Sequence, residues 1–195
     1  MKFSALFLDL DGTVRETISG RKFINHPQDQ KLIDGAAKAI AYFANRDYII
    51  LGLTNQAGVR DGYKSLDDCV LEQFETLEQI PPLRQILFCP DSGKQLGSVT
   101  RSSPRIFPGE KFLVSKDTLD RIYCNVSPFE PVDRGHNFSS FRKPGSGMVE
   151  YLVSTYSIDV RNSLLVGDMD SDRQCVKDID CGFLWAHQWR DMFGK

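Results

Sequence analysis

The chain has no long apolar run, no excess of either charge and no clustered cysteines, and each absence removes a class of function. No uninterrupted apolar stretch approaches the ~20 residues that a membrane-spanning helix requires. The opening run from Phe3 meets Asp9 and Asp11 too early to serve as a secretory leader. A formal net charge of −2, from 26 acidic and 24 basic residues, gives no general attraction to nucleic acid or to an anionic membrane. The five cysteines, Cys69, Cys89, Cys124, Cys175 and Cys181, are odd in number and scattered without a CxxC pair, which speaks against a disulfide framework and against a zinc ribbon. A glycine-rich Gly-Lys-Ser/Thr loop for ATP is also missing. These absences lead to the expectation of a soluble protein in a reducing cytoplasm, with no membrane attachment. At 195 residues and 41% hydrophobic content, the chain is long and apolar enough for one domain, residues 1–195, with a sizeable core.

What is present alternates between two periods. Phe3 to Leu10 is a short apolar run stopped by the turn pair Asp11-Gly12, as expected of a strand buried on both faces. An Ala-rich helical segment, Gly35 to Asn45, precedes a second apolar run, Tyr48 to Leu53. Ser65-Leu66-Asp67-Asp68 reads as the capped start of a helix with Val70, Leu71, Phe74 and Leu77 on one face, stopped by Pro81-Pro82, and Gln85 to Cys89 supplies a third strand. Near the carboxyl end a helix with Met148, Tyr151, Leu152 and Thr155 on one side, a strand at 163–166, a short helix at 171–179 and a last strand at 182–185 complete the pattern. Such alternation predicts an α/β domain, a Rossmann-like three-layer α/β/α sandwich around a central parallel sheet. Trp185, Trp189, Met192 and Phe193 are expected to pack into the core.

Residues 90–141 break this rhythm with interspersed Gly, Ser and Pro, and are read as an insertion. From Lys94 to Lys143 nine Lys or Arg face five Asp or Glu, so the segment is mildly basic: either a solvated surface or a face turned to an anionic substrate.

The chemistry concentrates where strands run out into turns. Asp9-Leu10-Asp11-Gly12-Thr13 brings two carboxylates to the end of the first strand, where a turn lets both approach one centre. Magnesium, a hard cation that prefers oxygen ligands, would relieve their repulsion and hold a phosphate oxygen. One carboxylate can then attack phosphorus while the other acts as acid and base. The competing reading of Asp11-Gly12 is a plain hairpin turn. Thr54-Asn55-Gln56 ends the second strand, and the carboxyl ends of neighbouring parallel strands share one crevice, where a hydroxyl and an amide can bind phosphate or cap the next helix. Arg142-Lys143, ahead of a helix, offers two cations for a transferring phosphoryl group. Val166-Gly167-Asp168 ends a later strand in an acid suited to the metal, with Asp172 in support from the next turn.

These four segments, in this order, resemble the haloacid dehalogenase-like (HAD) phosphatase superfamily over nearly the whole chain. Thr54-Asn55-Gln56-Ala57-Gly58-Val59 and Arg142-Lys143-Pro144-Gly145-Ser146-Gly147-Met148 are most similar to the histidinol-phosphate and heptose bisphosphate phosphatases, and also resemble polynucleotide 3'-phosphatases. The resemblance implies that Asp9 forms an aspartyl-phosphate and that Asp11 protonates the leaving alkoxide and then activates water. It further implies that Asp9, the Asp11 main-chain carbonyl and Asp168 hold Mg2+, that Thr54 and Lys143 bind the phosphoryl group, and that Asn55 and Arg142 lie beside the substrate.

Two departures qualify it. The zinc loop of clustered Cys and His usual in the sugar and histidinol phosphate enzymes is missing, leaving Cys89, Cys124 and His136 as a scattered set that counts against zinc. Met169 also follows Asp168 where the heptose enzymes resemble one another in having lysine. No room for a large cap domain exists between the first motif and the first helix, so the insertion alone would cover the site. The expected substrate is a small phosphorylated metabolite. The alternatives are a polynucleotide 3'-phosphatase, with Arg101, Arg105, Lys111 and Arg134 on the nucleic acid, and a non-catalytic domain that binds a phosphorylated ligand or a partner.

Overall fold

The computed structural model describes residues 2–101, 104–107 and 138–195. Nine strands are present among them: β1 (Ala5–Asp9), β2 (Arg15–Glu16), β3 (Lys31–Leu32), β4 (Ile49–Asn55), β5 (Leu83–Cys89), β6 (Leu96–Thr100), β7 (Pro104–Phe107), β8 (Leu164–Gly167) and β9 (Gly182–Trp185). The α-helices are α1 (Ala36–Ala44), α2 (Ala57–Arg60), α3 (Leu66–Gln79), α4 (Gly147–Tyr156), α5 (Asp170–Cys175) and α6 (Ala186–Phe193).

Seven strands form one sheet in the order β7-β6-β5-β4-β1-β8-β9. The β5-β4-β1-β8-β9 part is parallel throughout, with Asp9 opposite Leu53 and Leu8 opposite Val166. This is the expected central parallel sheet, and it is extended at the β5 edge by β6 and β7, which fold back antiparallel. The start of the supposed insertion thus extends the sheet, and residues 108–137 of that segment lie outside the described residues, together with Cys124, His136, Lys111 and Arg134.

Alternation along the buried strands builds the three layers. Leu6, Leu8 and Leu10 of the first strand region pack with Ala39, Ile40 and Phe43 of α1, Val70 and Leu77 of α3, and Trp189 of α6. Ala5 and Phe7 face the other way, onto Met148, Val149 and Leu152 of α4 and Cys175 of α5. Every side chain from Ala5 to Leu8 is fully buried, so β1 is the spine of the molecule. Trp189 is also fully buried, as expected, whereas Met192 at 63% exposure is not core. In α4 the buried residues are Gly147, Met148, Val149 and Leu152, and Thr155 is exposed, so the helix turns a face shifted toward its start.

The chain leaves β1 to build β4 and β5 on one side, then returns to place β8 and β9 on the other. That reversal opens a crevice at the carboxyl ends of β4, β1 and β8. Between β1 and α1 lies only a small antiparallel pair, β2 with β3. No described helix is long and apolar enough to cross a membrane.

Candidate active site

Asp9 is the last residue of β1 and is 7% exposed. The backbone turns immediately after it, with Gly12 at φ 87° and the amides of Thr13, Val14 and Arg15 directed at the Leu10 carbonyl. This turn lets Asp9 and Asp11 point to different partners. Lys143 Nζ donates to Asp9 Oδ1 at 2.5 Å and to the Leu53 carbonyl at 3.2 Å, and Thr13 Oγ1 donates to Asp9 Oδ2 at 3.0 Å. Lys143 also lies 2.6 Å from Asp172 Oδ1, whose other oxygen accepts the Met169 amide at 2.9 Å.

Asp9, Asp168 and Asp172 each offer a carboxylate oxygen, and these oxygens lie within 4.8 Å of one another. Among these groups Lys143 is a single cation against three acids. Burial raises the Asp9 pKa to about 7; Lys143 opposes the rise and Asp172 adds to it. Asp168 is raised as well, by burial and then by Asp172. For Lys143 burial is again the largest single cause and disfavours the charge, but Asp9 and Asp172 together outweigh it and hold the lysine protonated. A hard divalent cation fits this all-oxygen donor set, because it would neutralise the acids that Lys143 leaves uncompensated.

Asp11 takes a different environment. Arg15 Nε donates to its Oδ1 at 2.8 Å, while Thr54 Oγ1 and Gln56 Nε2 donate to its Oδ2 at 3.2 and 3.0 Å. Burial would raise its pKa, but the Arg15 charge and hydrogen bond, helped by Lys64 and Thr54, overcome burial and hold it below the ordinary carboxylate value. The carboxylate of Asp11 is thus turned away from the cluster of Asp9, Asp168 and Asp172.

The other expected site residues come together at the same crevice. Asn55, ending β4, clamps the backbone of Lys143 reciprocally: Nδ2 donates to the Lys143 carbonyl and the Lys143 amide donates to Oδ1, both at 3.0 Å. Its amide is committed to placing the lysine. Arg142 is partly exposed and its guanidinium donates to the Asp91 carbonyl at 3.5 Å. Cys89 is buried and unpaired. Arg101 donates to the carbonyls of Leu77, Ile80 and Pro81 and pairs with Glu78, so it caps the end of α3. The side chain of Arg105 lies outside the described residues.

The sequence reading did not single out Thr13, Arg15, Gln56, Lys64 or Glu72. Gln56 lies inside a quoted motif and Thr13 follows the Asp-Gly pair, so both were within reach. Arg15, Lys64 and Glu72 carried no local signal, since the ion pairs of Glu72 with Arg15 and with Lys64 span 57 and 8 residues.

The polynucleotide kinase 3 phosphatase family model matches residues 4–188. A D-glycero-α-D-manno-heptose-1,7-bisphosphate 7-phosphatase of Burkholderia mallei is 30% identical over 93% of this chain and 78% of its own length. The enzyme of that name from Campylobacter jejuni is 26% identical over 94% of this chain and 82% of its own. In fold the chain is similar to a protein from Mesorhizobium loti described as a HAD-like phosphatase, with a TM-score of 0.59 and 22% identity over 93% of this chain and 70% of that one. It is also similar to D,D-heptose 1,7-bisphosphate phosphatase from B. bronchiseptica, solved with magnesium and phosphate, with a TM-score of 0.58 and 20% identity over 94% of this chain and 79% of that one. A family match across nearly the whole chain means that the chain belongs to the polynucleotide kinase 3 phosphatase family.

Proposed function

We propose that this protein is a magnesium-dependent phosphomonoesterase that removes a phosphoryl group from a small phosphorylated sugar through an aspartyl-phosphate on Asp9. The observation that carries the reading is Lys143 Nζ at 2.5 Å from Asp9 and 2.6 Å from Asp172, beside an oxygen cluster completed by Asp168. Mg2+ held by Asp9 and Asp168, with the Asp11 main-chain carbonyl and support from Asp172, would supply charge neutralisation for nucleophile and phosphate.

The chain's own groups do the rest. Lys143 and Thr54 bind and orient the phosphoryl oxygens, with Asn55 fixing the lysine backbone and Arg142 at the rim. An Asp9 oxygen bonds to phosphorus as the ester P–O bond breaks, and the electron pair leaves on the sugar oxygen, which takes the proton of Asp11. An arriving phosphate dianion raises the proton affinity of Asp11, offsetting the hold of Arg15. Water then bonds to phosphorus while giving a proton back to Asp11, and the acyl-phosphate bond breaks to return the Asp9 carboxylate and inorganic phosphate.

A sugar bisphosphate is the favoured substrate, because the heptose-1,7-bisphosphate phosphatases match most of this chain. Met169, 60% exposed beside Asp168, stands where those enzymes resemble one another in carrying lysine, and argues for a sugar other than heptose. A polynucleotide is disfavoured by the engagement of Arg101 with α3. We also propose one catalytic domain with residues 90–141 as its insertion, working in a reducing cytoplasm, where the buried thiols of Cys69, Cys89 and Cys175 would stay free.

The test is phosphate release from sugar phosphates and bisphosphates, histidinol phosphate, nucleotides and a 3'-phosphorylated oligonucleotide, with magnesium or chelator, for wild type and Asp9→Asn. Release from a sugar phosphate that needs magnesium and disappears in Asp9→Asn is expected. A folded, metal-binding protein that releases phosphate from none of them overturns the reading and favours a ligand-binding domain.

A further inference from the structure

Arg15 is fully buried although it carries a permanent charge, and its contact with Asp11 uses only one of its three nitrogens. Its guanidinium forks. Nε donates to Asp11 Oδ1 at 2.8 Å, NH2 pairs with Glu72 Oε1 at 2.5 Å, and NH1 meets the Thr76 hydroxyl, Gln30 Oε1 and the Glu72 carbonyl. Glu72 in turn pairs through Oε2 with Lys64, Lys64 donates to Gln56 Oε1 at 2.7 Å, and Gln56 Nε2 donates to Asp11 Oδ2 at 3.0 Å. The contacts close a ring, Asp11–Arg15–Glu72–Lys64–Gln56–Asp11, that ties the end of β1 to the middle of α3 and to the end of β4.

Within that ring the side chains of Arg15 and Glu72 are wholly buried and that of Lys64 nearly so, whereas Asp11 keeps 40% of its side chain open to solvent. A buried ion network of this kind is seldom the most stabilising way to fill a core, since apolar residues of the same volume do as well or better. Among the described ion-pair members of the network, the one open to solvent is the carboxyl group of Asp11. Arg15 grips one oxygen of that group while Thr54 and Gln56 grip the other, so the carboxyl plane cannot rotate freely about the side chain.

We propose that Arg15, braced by Glu72, is a positioning residue for Asp11 and fixes the plane in which its carboxyl group meets the oxygen leaving phosphorus. The inference rests on the phosphatase reading above, in which Asp11 donates a proton to that oxygen as the ester bond breaks. A residue that only glues β2 to α3 would matter equally for every substrate. A residue that aims the acid matters in proportion to how much the leaving group needs a proton: a sugar alkoxide needs one, and 4-nitrophenolate departs as a stable anion without one.

The experiment compares kcat/KM for the best sugar phosphate of the panel and for 4-nitrophenyl phosphate, because kcat/KM reports the steps up to formation of the aspartyl-phosphate. In Arg15→Gln the sugar phosphate value is expected to fall at least about tenfold, a part of the ~10²–10⁴-fold that a placed acid contributes, and the 4-nitrophenyl phosphate value by less than about threefold. Arg15→Lys, which keeps the charge without the fork, falls between. Any loss of folded protein cancels in the ratio. If the single variant does not fold because Glu72 has lost a cation, Arg15→Gln combined with Glu72→Gln removes the stranded charge and is read the same way. Equal loss on both substrates, or no loss on either, overturns the proposal while leaving the phosphatase reading standing. A wild type that releases no phosphate at all overturns both.

Discussion

Gly12 occupies a backbone conformation at φ 87° that L side chains rarely adopt, and a methyl group built on it would stand 2.3 Å from Asp168 Oδ2. Two costs would therefore fall together in Gly12→Ala. The left-handed backbone costs about 1 kcal/mol, or about 2–4 °C in Tm for a chain of this size. The displaced Asp168 costs the proposed metal site one of its oxygens. Gly20 separates the two, because it has a similar φ of 76° with nothing within 4 Å of the added methyl. Gly20→Ala is expected to lose similar stability and keep magnesium-dependent phosphate release, whereas Gly12→Ala loses release by at least about tenfold. Calorimetry and phosphate release on the two variants decide it, and equal activities would mean that Asp168 tolerates displacement. At this scale the sequence was legible where chemistry concentrates: Asp9, Asp11, Thr54 and Asp168 stand at or just beyond strand ends and Lys143 in the turn ahead of α4, where their types alone suggest a site. Arg15 was not, because a single arginine beyond a turn looks like surface until α3, 57 residues later, supplies Glu72.

The turn between β5 and β6 is organised by Asp91, whose Oδ1 accepts the amides of Gly93, Lys94 and Gln95 at 2.8, 3.0 and 3.1 Å. Partial burial would raise its pKa, but these amides outweigh burial and hold it below the ordinary carboxylate value. Folding therefore favours the ionised form. The resulting stability is complete above the unfolded pKa of about 3.9 and is lost as pH falls through the lowered folded value. Asp91→Ala is expected to be less stable than wild type at neutral pH, with the gap closing as pH drops below about 4. Urea unfolding across this range measures it, and a gap independent of pH would show that the charge on Asp91 contributes nothing. The same turn marks where elements were legible and where they were not. The β1, β4 and β8 runs are apolar on both faces and announce themselves, and the Ser65 side chain caps α3 by accepting the Asp68 amide as its sequence suggests. The β6 strand, Leu96-Gly97-Ser98-Val99-Thr100, was hidden because Gly97 and Ser98 are poor strand formers. Gly97 is there because the Phe88 ring fills the place of its side chain, with Cζ only 2.1 Å from where a Cβ would stand. A cross-strand constraint of this kind leaves no trace in the local sequence.

For the molecule as a whole, the three acids around one lysine make the fold and the metal two sides of one equilibrium. Without a cation, Asp9, Asp168 and Asp172 repel one another at the open end of the parallel sheet, and Lys143 answers only part of that charge. Magnesium bound to the folded state alone would stabilise it by RT ln(1 + [Mg2+]/Kd), about 2.7 kcal/mol at one hundred times Kd. That corresponds to a rise in Tm of about 5–10 °C for a chain of this size. Asp168 is the exposed member of the cluster, so Asp168→Asn removes a repulsive charge without opening a cavity. The variant should therefore melt at or slightly above the wild-type temperature in chelator and well below it in saturating magnesium, so that the order of the two proteins reverses with the metal. Thermal unfolding of both, with chelator and across a magnesium titration, tests this directly. A variant less stable than wild type by the same amount in both conditions would show that Asp168 serves the fold, and the proposed metal site would then have to be built without it.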